Sequence, residues 1–540
     1  MKDISSTGSF INFYLNNYIY VDKTQYIRDL IKLERVFISR PRRFGKSLTL
    51  DTIATLFETG VEPYFKGTWI YDKWTEPTYP VLRLNFLDLD KYSLDLFKQK
   101  LNSIITAFAQ DIKLKGYKEK VEPEDTIYFL LDELRKEKRQ IVILIDEYDC
   151  QMTANINNET LYNQFQEKIK SFYATIKNKW PIKFLGITGV TRLKDVEIFS
   201  IGSDIRDITN ASAYSQMIGF TRDEIKKYYI DYLTLAASYE NNCSVDKVTD
   251  AQIESMLDMM AQNYDGYCFD EFYKKKVFST WSVNSFFQSI IENKFVYFDE
   301  YWYDNGGLPS ILVNYLKTHE LNIFEYLDKD KFLKVSTDDF KNPTALTTIN
   351  QNVLMCQTGY LTLRSDLNKT STVALGIPNG EIYKALNRLL ANNIFKGNTD
   401  ITDDYGRSLL EVGTVDDIIN LFNSALNSVS YDNYPIVSES SVQNMLKLYL
   451  LGAHQEVLSE VHEAKGRADL VVNTDNKRIV FEFKYAKNET EAKSKLSEAV
   501  EQIKSRDYGN ILPKKNELLR IAAVFNADPK VRAFTEYQEV

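Results

Sequence analysis

Apolar positions along this chain fall into two alternating kinds of run over roughly its first third. Short unbroken runs at 36–38, 81–82, 141–145 and 184–185 are bounded by polar or turn-forming residues. The five consecutive apolar residues at 141–145 suit a strand buried on both faces of a parallel sheet. Between these runs, apolar residues recur at helical spacing: Ile27, Leu30 and Ile31, then Leu50, Ile53 and Phe57. The same period predicts helices over 94–116, 124–138 and 158–179, with Trp180-Pro181 breaking the last. Ahead of the first helix, Tyr20-Val21-Asp22-Lys23-Thr24 predicts a short strand or turn, with Asp22 or Thr24 as its cap. Residues 220–330 are Tyr-rich and mostly helical in pattern, opening on Thr221 with Glu224 at capping-box spacing. Residues 330–435 mix short strands (360–363) with helices (381–391). After Pro435 the pattern restarts with a helix over 440–451, strands at 456–463, 466–472 and 478–485, and a helix over 492–505. In the last of these strands Phe481 and Phe483 alternate with Glu482 and Lys484, so the two pairs lie on opposite faces.

These patterns predict an α/β protein: an N-terminal parallel sheet, a helical middle region and a C-terminal α/β domain. The expected divisions are a sheet domain over 1–220, a helical lid over 221–330, a connector over 331–434 with a winged-helix element as one reading, and a last domain over 435–540. At 540 residues the chain exceeds what one hydrophobic core supports. A net charge of −9 excludes coating nucleic acid by bulk charge and leaves a local basic groove open. The four cysteines are far apart, with no CxxC and only three histidines, which argues against a disulfide framework or zinc finger and fits a reducing compartment. No run approaches membrane-spanning length and the start lacks an apolar leader, so the expected location is cytoplasmic, with no membrane partner.

The densest chemistry lies at 36–47, where an apolar run enters Arg40-Pro41-Arg42-Arg43-Phe44 and ends in Gly45-Lys46-Ser47 before a helix. Gly45 lets the backbone approach an oxygen, and the helix-start amides point at an anion. Lys46 is placed to reach β- and γ-phosphates, and Ser47 to ligand a bridging Mg²⁺. The usual loop is G-x-x-x-x-G-K-[ST], and Arg40 stands where its first glycine belongs. Arg40, Arg42 and Arg43 are expected to replace that glycine's backbone cradle with side-chain charge. A bare basic turn before a helix is the competing reading. It loses weight because Asp146-Glu147 closes the apolar run at 141–145, at the strand end where α/β sheets bind ligands. There Asp146 holds Mg²⁺ and Glu147 polarises the attacking water. Thr188 or Thr191, ending the next strand, is the candidate γ-phosphate sensor. Arg192 either stabilises transition-state charge or pairs with an acid for structure alone.

A second constellation lies near the C-terminus. Asp469, in Gly466-Arg467-Ala468-Asp469, and Glu482 sit on adjacent strands of an expected hairpin, with Lys484 sharing the Glu482 face. This set suits metal-dependent phosphodiester hydrolysis: the carboxylates hold Mg²⁺, and Lys484 positions water or offsets phosphate charge. The competing reading is a hairpin with an exposed Glu/Lys pair. Gln502 and Tyr508 are placed to touch the same site, Glu460 is the candidate additional acid, Gln443 a weaker addition and His462 a bystander. Arg467, Lys484, Lys487 and Arg506 are the candidate basic rim.

Together, Tyr20-Val21-Asp22-Lys23-Thr24, Arg40 to Ser47, Leu144-Ile145-Asp146-Glu147-Tyr148-Asp149 and Gly189-Val190-Thr191-Arg192 resemble the AAA-ATPase-like family of bacterial P-loop proteins. Gly466-Arg467-Ala468-Asp469 and Glu482-Phe483-Lys484 resemble the PD-(D/E)XK nuclease superfamily. In the first family an arginine at the first glycine position is normal. The resemblance implies a P-loop NTPase sheet joined to a restriction-endonuclease-like domain, with ATP and Mg²⁺ as cofactors and nucleic acid as partner. The implied activity is ATP hydrolysis coupled to a metal-dependent nuclease-like domain. The alternative is a nucleotide-switched signalling or scaffold protein whose C-terminal domain binds without cutting.

Overall fold

The computed structural model describes residues 1–540 except 178, 194–203, 303–309, 317–318, 320–322, 344, 396–407, 454, 464–465 and 511–512. The chain forms two compact units, one of Met1–Leu321 with Asp330–Ile382, the other of Asn322–Lys329 with Tyr383–Val540.

The first unit is built on a five-stranded sheet of β1 (Arg35–Ser39), β2 (Val81–Asn85), β3 (Ile141–Asp146), β4 (Ile182–Gly189) and β5 (Arg206–Asp207), in the order β2-β3-β4-β1-β5. Every neighbouring pair is parallel. β1 and β3 are buried along their whole length, as their unbroken apolar runs predict. β4 lies between β1 and β3, with Ser39 beside Gly189 and Leu144 beside Gly186. Their carboxyl ends therefore meet on one edge. Helices follow the predicted stretches at Lys46–Thr59, Leu94–Asp111, Pro123–Lys136 and Glu159–Ile176. Ser93 and Asn158 cap two of them by accepting from Leu96 N and Leu161 N. Helix Thr24–Ile31 starts differently: Lys23 is its N-cap, and Asp22 Oδ1 accepts from both the amide and the hydroxyl of Thr24. The other oxygen of Asp22 accepts from Trp69 N at 2.5 Å, and Thr24 Oγ1 from Ile70 N. The two residues therefore clamp a distant loop as well as a helix start.

A helical group follows in the same unit: Arg222–Tyr228, Ile230–Glu240, Asp250–Tyr264 and Thr280–Asn293. The Thr221/Glu224 capping box forms as the spacing predicts. Its core, which includes Tyr229, Tyr232, Met256, Phe286 and Phe287, also takes in Ile19 and Val21. Each fully buried side chain of this size contributes about 1.5–3 kcal/mol. That burial fixes the N-terminal segment against the helices. A small antiparallel sheet of β6 (Leu333–Ser336), β7 (Thr362–Leu363) and β8 (Thr372–Gly376), in the order β6-β8-β7, completes the unit. Helices Thr337–Lys341 and Gln351–Thr358 lie between β6 and β7 in the chain.

The second unit carries β9 (Glu456–Glu463), β10 (Gly466–Asn473), β11 (Lys477–Ala486), β12 (Glu517–Asn526) and β13 (Ala533–Glu539), in the order β13-β12-β11-β10-β9. β11 and β12 are parallel, so the chain needs a crossover between them, and helix Glu489–Arg506 supplies it. The other pairs are antiparallel. Phe481 and Phe483 stack at 5.5 Å, with Phe422 and Phe534 against them. That aromatic face anchors β11 and turns Glu482 and Lys484 the other way. Among the described residues no helix is long and apolar enough to cross a membrane.

Candidate functional sites

At the carboxyl edge of the first sheet lies a cleft of about 570 Å³. Ile19, Val21, Ile27, Met217 and Phe220 line one part of it, and Arg42, Arg43, Lys46, Ser47 and Glu147 another. Gly45 has φ +100°, a conformation that allows the sharp entry into helix Lys46–Thr59. The buried Lys46 ammonium donates to the carbonyls of Arg40 (3.0 Å) and Pro41 (3.2 Å) and lies 3.8 Å from Glu147 Oε1. Ser47 Oγ donates to Asp146 Oδ2 at 2.6 Å, and Thr188 Oγ1 donates to Asp146 Oδ1. β4 thus brings Thr188, the candidate γ-phosphate sensor, onto Asp146, and neither of the two lines the cleft itself. Glu147 holds φ +52°, an uncommon backbone state at the end of β3, and its amide donates to Asp146 Oδ1 at 3.0 Å. Burial pushes the Glu147 carboxyl up against the opposing pull of Lys46, and Asp149 and Asp146 push it further.

The basic turn is held from the helical group. Thr280 Oγ1 donates to Arg43 O at 2.9 Å, Trp302 Nε1 donates to Arg42 O, and the Arg43 guanidinium lies 4.0 Å over the Trp281 ring. Two expected participants are elsewhere. Arg40 does not cradle the cleft: its side chain is fully buried and donates to Ser39 O and Thr209 O, away from Lys46. Arg192 is paired with Asp207 and donates to Lys341 O, which leaves it the structural role. Neither lines the cleft. Thr191 is likewise absent from it. Its amide and hydroxyl bind Asp149 Oδ2 at 2.7 and 2.5 Å, fastening the end of β4 to the turn after β3. A Cβ on Gly189 would stand 2.4 Å from the Tyr148 ring, so this junction requires glycine.

In the second unit Leu470 pairs with Phe481, which sets Asp469 opposite Glu482. Phe483 N donates to Asp469 Oδ2 at 2.8 Å. Glu482 is buried, and its Oε1 accepts from Lys484 Nζ at 2.8 Å while its Oε2 has no hydrogen-bond partner among the described residues. Burial, and then the charge of Asp469, push Glu482 up to about 7 against Lys484. Burial pulls the Lys484 ammonium down, but Glu482, Glu439 and Asp469 outweigh it and the net shift is upward. Gln443 Nε2 donates to Asp469 O, and Tyr508 OH accepts from Arg506 Nη1 at 2.8 Å and Gln502 Nε2 at 3.5 Å. A Cβ on Gly466 would meet Arg506 Cδ at 2.6 Å, so this glycine admits the arginine beside β10. Of the candidate rim, Lys484 is in the site and Arg506 lies close enough for Glu482 to favour its charge, after Tyr508. Arg467 and Lys487 are exposed. Among the described residues no group of three or more His, Cys, Asp or Glu is placed to hold a metal. Two facing carboxylates with an unengaged oxygen nonetheless fit Mg²⁺, which keeps several waters and takes one or two carboxylates from a protein.

Residues 5–199 match the family model described as a predicted AAA-ATPase, and residues 437–534 that of the PD-(D/E)XK nuclease superfamily. The chain joins an AAA-ATPase-like domain to a PD-(D/E)XK domain. It is 25% identical over 532 residues to an uncharacterized protein encoded in the vnfD 5′ region of Azotobacter chroococcum mcd 1, covering 95% of this chain and 94% of that one. Among solved structures it is similar to Cdc6p from Pyrobaculum aerophilum, at 11% identity and TM-score 0.22 over 68% of this chain and 92% of that one.

Sequence reasoning missed Glu439, whose Oε1 lies 3.4 Å from Lys484 Nζ. It sits in the first turn of helix Glu439–Gly452, where an acid is ordinarily explained by the helix dipole. Its signal was masked by that simpler role. The side chains of Glu460 and His462, the expected additional acid and bystander of the PD-(D/E)XK site, lie outside the described residues.

Proposed function

We propose that the AAA-ATPase-like domain binds and hydrolyses ATP and that the PD-(D/E)XK domain hydrolyses phosphodiester bonds in nucleic acid, each with Mg²⁺. In the first site Lys46 exchanges its two carbonyl acceptors for phosphate oxygens, and Arg42 and Arg43 add charge at the cleft wall. Ser47 and Asp146 are the pair that would hold Mg²⁺. Glu147 takes the proton of the attacking water, a task its raised carboxyl pKa suits. In the second site Asp469 and Glu482 would hold Mg²⁺, which when bound supplies a hydroxide and clamps the scissile phosphate. Lys484 orients the water, and Glu439 offsets part of its charge at the open side.

One observation supports the nuclease half most strongly. Glu482 is buried opposite Asp469 with one oxygen on Lys484 and the other without a partner among the described residues. A buried carboxylate with a purely structural role ordinarily has a hydrogen-bond partner on each oxygen. An unengaged, buried carboxylate oxygen is costly unless a ligand takes it. The test is cleavage of single- and double-stranded DNA and of RNA with Mg²⁺ or Mn²⁺, with and without ATP, by wild type, Glu482→Ala and Lys46→Ala. Cleavage by wild type that Glu482→Ala abolishes is the expected result. Cleavage retained by Lys46→Ala would show that cutting runs without nucleotide. Absence of cleavage by wild type in every nucleotide state would remove the nuclease half and favour a nucleotide-switched binding protein.

A further inference from the structure

We propose that the first unit holds a second, buried anion site behind the phosphate loop, built on Arg40 and shaped for a small inorganic anion. Arg40 is 1% exposed. Its Nη1 donates to Ser39 O at 2.8 Å and Thr209 O at 2.6 Å. Its Nε and Nη2 are buried and donate to no acceptor among the described residues. Those two nitrogens form the edge of a guanidinium that grips an oxyanion side-on. The Phe269 ring lies 4.1 Å from the guanidinium carbon and covers its flat face. A cavity of about 40 Å³ adjoins, bounded by Arg40, Pro41, Arg192, Asn210, Cys268 and Gln357. It has room for a few water-sized groups and none for a nucleotide. A halide, nitrate or bicarbonate fits it.

The charge balance points the same way. Of the two guanidiniums in the wall, Arg192 is paired with Asp207. Arg40 makes no ion pair among the described residues; Asp207 acts on it only at longer range. The wall therefore carries an excess positive charge in a place water hardly reaches. A buried cation without a counter-charge is expensive. Burial draws the Arg40 guanidinium down to about 9, which leaves it charged at neutral pH. The Arg40 carbonyl accepts from Lys46 Nζ, so an anion at the fork braces the same residue that holds the phosphate-loop lysine.

Two measurements on the full chain test it. Crystals grown in millimolar bromide, with data collected at the bromine edge, are expected to show an anomalous peak within hydrogen-bond distance of Arg40 Nε and Nη2. An ordered water or a protein acceptor on those nitrogens, or a peak seen only in molar bromide as an adventitious ion only, overturns the proposal. In solution, titrating nitrate into protein kept in gluconate, an anion too large for the cavity, is expected to raise Tm by about 3 °C with saturation. The rise should vanish in Arg40→Lys, which keeps the charge and loses the side-on fork. Equal rises in both proteins overturn the proposal, and should the variant fail to fold, the bromide experiment on wild type decides alone.

Discussion

The two sites carry their charge in opposite ways. Around the phosphate loop, Lys46 rests on two carbonyls, Ser47 on Asp146, and Asp146 also on the Glu147 amide and Thr188. On β11, Glu482 is buried with an oxygen bonded to nothing among the described residues. The first arrangement has a satisfied resting state, so its ligand must displace protein contacts that re-form when it leaves. Such a site is suited to cycling. The second has no satisfied resting state, and its strands hold the acid in place whether or not a ligand compensates it. Such a site is suited to holding an ion. The largest effects of mutation should follow this division.

Glu482→Ala is expected to lower phosphodiester cleavage by roughly a thousand-fold or more, because one of the two carboxylates proposed to hold the metal goes. The same site should be a stability liability: Glu482→Gln is expected to leave Tm unchanged or raise it, since a neutral amide is easier to bury than the carboxylate. Asp146→Ala should instead lower Tm, because it strands the donors of Ser47 and Thr188. Thermal scans of both variants check the contrast, and a Glu482→Gln protein that melts well below wild type would break it.

Next in size is Glu147→Gln, expected to lower ATP hydrolysis by about 10²–10³-fold through loss of the base while nucleotide affinity holds within a few-fold. Lys46→Ala should do the reverse and lose affinity. Phosphate release with fluorescent-nucleotide titration separates the two. A Glu147→Gln enzyme hydrolysing at the wild-type rate would remove the water-activating role.

Much of this comparison was legible in residues close together in sequence. The apolar run at 141–145 announces β3, Asp146-Glu147 its ligand edge, and the alternation of Phe481, Glu482, Phe483 and Lys484 places both functional groups of β11 on one face. What local pattern could not say is where a long side chain goes when its partners come from afar. Arg40 reads as phosphate-binding because it sits in the loop, yet Thr209 and Phe269 draw it behind the loop. Arg192 is taken by Asp207 and Lys341. Glu439 reaches Lys484 from 45 residues upstream. Each of these outcomes depends on strand order and helix placement, which spacing along the chain does not encode.

Glu381 sharpens the comparison, being buried like Glu482 but satisfied: it accepts from Ser282 Oγ at 2.7 Å and Trp302 N at 2.8 Å. Burial pushes it up to about 8, with Glu300 and Asp299 adding to the shift. A carboxyl held above its unfolded value near 4.5 gives stability that is fully present below that value and lost as pH rises through about 8. Wild type should therefore lose up to a few kcal/mol relative to Glu381→Gln between pH 5 and 9. Parallel thermal scans of the pair isolate this group. A constant difference in Tm across that range would show that Glu381 does not change its proton in the folded protein.

The smallest effect tests the wall of the cleft. Arg42 and Arg43 both line it, but Arg43 is held over Trp281 while its carbonyl accepts from Thr280. A satisfied resting state predicts that neither side chain is needed for the fold and that both add charge when phosphate arrives. Arg42→Ala with Arg43→Ala should weaken ATP binding by about tenfold, as loss of charge-assisted contacts at a half-open site implies, and change Tm little. The loss should shrink in high salt, because exposed charges are screened there. Trp281→Ala, which frees the Arg43 guanidinium without removing it, should weaken binding less than the double substitution. If the double variant binds ATP as wild type does, the loop's lysine and backbone hold the phosphates alone, and the arginines belong to the architecture of the turn.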